Sequence, residues 1–122
     1  MPLLAMRERS RKQALYLLQA RFTESLTVVF LRLKGYCIIK RNHRIQGVEV
    51  DILAYKNECW VVVEVKSRRG KEVDWENAVT HTQNKRLRKV VGNVAQQRQS
   101  SARLDIVLWQ PYWPWVKHYQ DI

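Results

Sequence analysis

The chain has 122 residues, 46% hydrophobic and 27% charged, with four Gly and three Pro. That length and composition suit one domain with a sizeable core, and they exclude a collagen-like, low-complexity or disordered chain. Twenty-two Lys and Arg against 11 Asp and Glu leave a net charge of +11, so the expected partner is a polyanion.

The excess is regional. Residues 1–46 hold ten basic and two acidic side chains, residues 65–104 ten and three, and the remainder two and six. Two basic regions therefore flank a segment that carries paired acids. Residues 1–10 form a candidate flexible lead to a single domain over 1–122. They turn basic after a few apolar side chains, without the apolar core and cleavage site of a secretory signal.

Residues 8–34 predict a helix, because Ala14, Leu15, Leu18, Phe22, Leu26, Val29, Phe30 and Leu33 recur at steps of three and four. The apolar face is expected to pack on the core and the other face is basic. Gly35 stands where a left-handed helix terminus belongs, with Arg32 and Lys34 suited to the negative end of the helix dipole. Arg32 and Lys34 also close off the apolar run 26–33, far short of the ~18 residues of a membrane span. No membrane partner is expected, and a peripheral role for the basic helix is disfavoured because the core needs its apolar side.

Residues 36–40 are β-prone and lead through a basic stretch, 40–44, to a turn near Gln46-Gly47. Residues 48–54 alternate, with Val48, Val50 and Ile52 on one side and Glu49, Asp51 and Leu53 on the other. Residues 60–66 alternate likewise, Val61, Val63 and Val65 opposing Trp60, Val62, Glu64 and Lys66. A two-residue turn at Lys56-Asn57 would set Asp51 opposite Val62 and Glu49 opposite Glu64, leaving Asp51 diagonal to Glu64. An odd slip would turn one valine row out of the core.

Residues 67–71 form a basic loop containing Arg68 and Arg69. Residues 75–97 predict a second helix, with Ala78, Val79, Leu87, Val90, Val91 and Val94 inward and Lys85, Arg86, Arg88 and Lys89 outward. Residues 104–109 read as a strand, Pro111 and Pro114 break the Trp-rich segment, and 115–119 is a short last strand. The fold class is α/β: a mixed sheet flanked by helices, in the order helix, three strands, helix, one or two strands. Cys37 and Cys59, with no CxxC and no histidine cluster, read as buried free thiols in a reducing, cytoplasmic compartment. Trp109, Trp113, Trp115 and Tyr112 fit either core packing or stacking on bases, with packing favoured. His81 and His118 stand alone and are assigned no chemistry.

Glu49, Asp51, Glu64 and Lys66 interrupt two hydrophobic strands, where unpaired charge is costly. Adjacent carboxylates repel unless a cation or proton intervenes, and hard oxygen ligands select Mg2+ or Mn2+. Asp51 and Glu64, with the Val65 carbonyl, are the candidate metal ligands. Lys66, on the side of Glu64, is the candidate base or charge stabiliser, which suits metal-assisted phosphodiester hydrolysis. The same residues could also be a surface ion-pair cluster.

The strand pair VEVDILA and VVVEVKS resembles the PD-(D/E)xK nuclease motif, with Asp51 as its aspartate and Glu64-Val65-Lys66 as its ExK. More specifically, from about Arg11 onward the chain resembles the YraN-like family, whose members look like restriction endonucleases and Holliday-junction resolvases. The further matches are Glu24, Leu31 with Leu33-Lys34-Gly35-Tyr36, Ala78-Val79-Thr80 with Gln83, and Arg103 with Asp105. Two positions depart from the pattern: Gly47-Val48-Glu49 moves a glycine one place from the strand, and Gln19 replaces a small residue. The resemblance implies a restriction-endonuclease-like fold and a Mg2+- or Mn2+-dependent endonuclease acting on branched or structured DNA. It places Glu24 and Gln83 in the catalytic set, with Glu49 behind them. Arg41, Arg44, Arg68, Arg69, Lys85, Arg86 and Lys89 are then candidate DNA contacts, and a homodimer is compatible with the chemistry. The rival reading is a basic nucleic-acid-binding protein of the same fold without turnover.

Overall fold

The structure is a computed structural model. It describes residues 2–67 and 81–122, and side chains within them other than those of 2–4, 16, 17, 19, 20 and 81–84. Among these residues the chain order is α1 (Pro2–Leu33), β1 (Cys37–Ile45), β2 (Val48–Lys56), β3 (Cys59–Ser67), α2 (His81–Arg98), β4 (Ser101–Trp109) and β5 (Val116–Tyr119). The five strands form one sheet in the order β1-β2-β3-β4-β5. Only β3 and β4 run parallel, and α2 lies in the connection between them. The mixed α/β class expected from the element order is the one observed.

The helix stop at Gly35 follows from backbone chemistry. Gly35 has φ +91°, and the Tyr36 and Gly35 N–H groups donate to the carbonyls of Leu31 and Arg32, both at 3.0 Å. That is a Schellman closure, which satisfies carbonyls a helix end otherwise leaves unpaired. Leu31 and Tyr36, the two ends of the motif, pack in the same core cluster.

β1 is longer than the run 36–40, because pairing with β2 continues through the basic residues to Ile45↔Val48. The β2–β3 turn also differs from the expected one. Asn57 and Glu58 have φ +51° and +62°, the backbone of a type I′ turn that matches strand twist. Lys56 pairs with Cys59 and Tyr55 with Trp60, a register two residues away from that set by Lys56-Asn57. The even slip keeps Val61 and Val63 on the side of Ile52, as expected for that row.

Each helix covers one face. Val28 and Leu31 of α1 pack with Tyr36, Ile52, Val61 and Val63. Leu87, Val90 and Val94 of α2 pack with Val50, Leu53 and Val62. Burial on both faces explains the nearly unbroken valine run of β3.

Three packing expectations are corrected. The apolar line of α1 does not face the core: Leu15, Leu18, Phe22, Leu26, Val29 and Leu33 are 37–83% exposed. The helix instead docks through Thr27, Val28 and Leu31, since the Trp109 Nε1–H donates to Thr27 Oγ1 at 2.8 Å and fixes that side against β4. Cys37 is exposed on edge strand β1 and Cys59 is half-buried, both free. Trp109 packs edge-on against Phe30 at 6.2 Å, but Trp113 and Trp115 are exposed.

Candidate active site

The chemistry-bearing residues lie where the sheet splits. Pairing between β2 and β3 ends at Ile52↔Val63, yet β2 stays paired to β1 back to Val48, and β3 stays paired to β4 as far as Ser67. The two central strands therefore part like a fork, and Asp51 and Glu64 are the first residues beyond the last pair. Side-chain alternation also slips here, since Val50 and Leu53 pack toward α2 while Ile52 and Ala54 pack toward α1. The strict alternation expected for residues 48–54 thus fails at Asp51.

In place of a ladder carbonyl, Asp51 Oδ2 accepts the Val65 N–H at 2.8 Å. Glu64 is 7% exposed, and it shares a side-chain hydrogen bond with Asp51. Lys66 Nζ stands 3.6 Å from Glu64 Oε1. Burial, and then the charge of Asp51, push the Glu64 carboxyl up to about 7 against the opposing pull of Lys66. Asp51 is also raised, first by burial, with the Val65 N–H opposing and the charges of Glu24 and Glu49 adding. Glu24 from α1 and Glu49 from β2 thus reach Asp51 through their charge alone, whereas Asp51, Glu64, Val65 and Lys66 meet at the fork itself.

A buried Glu64 carboxyl held against the half-buried Asp51 carboxyl sets up a repulsion that a divalent cation would relieve. Among the described residues, no three His, Cys, Asp or Glu side chains converge to hold an ion. A fork ion would thus have two carboxylates, a main-chain oxygen and water. That donor set fits magnesium, which keeps several waters and takes one or two carboxylates.

The basic candidates divide. Arg41 Nη2 donates to Ser25 Oγ of α1 at 3.0 Å. Arg44 lines a cleft of about 250 Å³ between β1 and α2, with Lys40, His43, Gln97 and Arg98. Arg86 and Lys89 line a second of about 460 Å³ beside Gln46, Val48 and Asn93. Gln46 borders both, so the clefts adjoin along α2. Lys85 is exposed on α2. Arg68 and Arg69 lie outside the described residues, as do the Gln83 side chain and the expected helix start at 75–80.

A polar network that sequence reasoning missed lies on the α1 side of the sheet. Asp105 is fully buried and accepts from Arg103 Nε at 3.1 Å, Tyr36 Oη at 3.2 Å and the Asp121 N–H at 3.0 Å. His118 Nε2 lies 2.9 Å from the same carboxylate, and its Nδ1 meets Lys34 Nζ. An ammonium only donates, so Nδ1 accepts and Nε2–H donates to Asp105. Burial pushes Asp105 up, but hydrogen bonds from His118, Asp121 and Arg103 outweigh it and hold the carboxyl below its usual range. His118 is thus structural, joining α1, β4 and β5. The spacing of Arg103 and Asp105 on one strand side was the available signal, but it gave no hint of His118, thirteen residues away.

A mixed sheet sheathed by two helices, with carboxylates at the fork of its central strands, defines a mixed α/β protein with an acidic site at the split of its sheet. Residues 23–109 match the family model described as Uncharacterised protein family UPF0102. The UPF0102 protein RL0336 of Rhizobium johnstonii is 39% identical over 97 residues, 76% of this chain and 79% of its own. A UPF0102 protein of Mesorhizobium japonicum is 34% identical over 103 residues, 80% of each, and one of Rhizobium etli is 40% identical over 93, 73% and 75%. The chain belongs to the UPF0102 family, the YraN-like group its strand motifs resemble. Among the described residues no helix is long and apolar enough to cross a membrane.

Proposed function

We propose that this chain is a magnesium-dependent endonuclease that hydrolyses phosphodiester bonds in DNA, with branched or otherwise structured DNA as its substrate. The observation that carries the reading is the fork: Glu64 buried beside the half-buried Asp51, Glu64 raised to about 7, and the Lys66 ammonium 3.6 Å away. Asp51 and Glu64, with the Val65 carbonyl, would hold the ion. When bound, it would supply Lewis-acid polarisation of a phosphate oxygen and of water.

The chain's own groups do the rest. The Val65 N–H holds one Asp51 oxygen and so fixes the carboxylate's orientation. Lys66, 24% exposed at its side chain, reaches the fork mouth, where its ammonium orients a phosphate and offsets charge that grows on it. Glu24 tightens the negative field around Asp51. Arg44, Arg86 and Lys89 suit the flanking phosphates.

The test is incubation with junction, flap and linear duplex DNA in magnesium. Asp51→Ala and Lys66→Ala are expected to lose cleavage by at least about a hundredfold while keeping DNA affinity within a few-fold. Equal cleavage by wild type and both variants sinks the assignment. A second reading, a nucleic-acid binder without turnover, draws on the basic clefts that run along α2 rather than into the fork. It expects no heat of manganese binding that Asp51→Ala removes.

A further inference from the structure

α1 has two apolar sides, and the sheet uses one. Thr27, Val28 and Leu31 are 0, 4 and 0% exposed, whereas Leu15, Leu18, Phe22, Leu26, Val29 and Leu33, on the other side, are 61, 63, 65, 37, 53 and 83% exposed. Steps of three, four, four, three and four keep the second set on one line of a helix with ~3.6 residues per turn, over ~27 Å. At on the order of 100 Å² each, they leave ~600 Å² of apolar surface in water, the upper end for the largest patch of a monomer. A standard interface takes ~800 Å² from each partner, so this stripe plus its rim is the right size for one side of a stable dimer.

We propose that the stripe binds a second copy of this chain, the two α1 helices crossing antiparallel about a two-fold axis level with Glu24. Run antiparallel, the stripe is complementary to itself. Leu15 meets Leu33 of the second copy, Leu18 meets Val29 and Phe22 meets Leu26, and a two-fold axis makes each pairing twice. No charged residue lies on the line between Leu15 and Leu33. Continued toward the N-terminus, the line meets Arg11 and then Glu8, which ends the apolar contact. An acid on that line also favours a protein partner over an anionic lipid surface.

The contact repairs a weakness of the single chain. From residue 5 to residue 22 no described side chain of α1 is buried, and a helix that packs on nothing is marginal in water. A second copy supplies the missing packing without disturbing the core, because Thr27, Val28 and Leu31 keep their contacts. The inference is independent of the catalytic reading.

Sedimentation velocity of the full chain over about 1 to 100 µM tests it, since dimer stability depends on protomer concentration. The expected mass is twice the 14.6 kDa of one chain. The double variant Leu18→Glu with Val29→Glu is expected to sediment as a monomer that loses helix content only over the stretch of α1 left without packing. The milder Phe22→Ser is expected to raise the dimer dissociation constant at least about tenfold, and it decides the matter if the double variant fails to fold. A monomeric wild type at the highest concentration overturns the proposal. So does a dimer whose dissociation constant Phe22→Ser leaves unchanged, which places the contact elsewhere. Flotation of a monomeric wild type with phosphatidylserine vesicles, lost in Phe22→Ser, gives the stripe to a membrane and overturns it as well.

Discussion

Glu64 ionises near neutrality because burial, and then the charge of Asp51, disfavour its ionised form, and that penalty has a thermodynamic signature. An ordinary Glu in the unfolded chain loses its proton near 4.5, while the folded carboxyl holds it to about 7. Between those values the folded state binds more protons than the unfolded one, so stability falls as pH rises through the window. Above it, the full cost of the ionised form is present. Glu64→Gln keeps the shape and removes the charge. The variant is expected to match wild type near pH 4 and to be more stable by on the order of 1 to 3 kcal/mol at pH 8 without metal, the upper end being most of the shift at ~1.4 kcal/mol per unit and the lower end allowing for loss of the Lys66 pair. Urea melts at the two pH values measure the difference. A variant less stable than wild type at pH 8 would mean that the fork is a net-favourable ion-pair cluster rather than a strained site.

At the scale of elements, what could be read from sequence was whatever local chemistry decides. The Gly35 stop depends on one backbone conformation, and Ala there is expected to cost about 1 to 2 kcal/mol, the penalty of a Cβ in the left-handed region. The added Cβ would meet nothing nearer than Lys56 Cε at 3.9 Å, so the loss is conformational rather than steric. Asn, which tolerates that region, is expected to lose less, and equal stability of all three in urea would refute the account. The β2–β3 register was less legible, because Lys56-Asn57 and Asn57-Glu58 both suit a two-residue turn and hydrophobic patterning cannot distinguish registers two residues apart. The fork itself was not legible. Alternation predicts continuous strands, and only the pairing of β2 with β1 and of β3 with β4 pulls them apart at Asp51. Periodicity found the apolar line of α1 correctly but could not say which side docks, since Thr27, Val28 and Leu31 form a second line that Trp109 selects.

Over the whole molecule, the segregation of charge in the sequence becomes a segregation in space. The acids of the central strands meet at the fork, while basic residues from β1 and α2 border the adjoining clefts along one flank of the sheet. A phosphate chain held along those clefts would displace one condensed counterion per neutralised contact, giving a slope of about −0.9 in log affinity against log salt for each. If Arg44, Arg86, Lys89 and Arg98 each hold one phosphate, together they contribute about −3.6 to the slope of duplex binding, and Arg86→Ala with Lys89→Ala is expected to flatten the total by nearly 2 units. The measurement is anisotropy of labelled duplex from 50 to 250 mM salt, with calcium in place of magnesium to separate binding from cleavage. Both side chains are exposed on α2 and stand outside the core, so a flattened slope in a fully folded variant can be assigned to lost phosphate contacts. An unchanged slope would move the nucleic-acid surface off this flank, leaving the remaining basic side chains as its source.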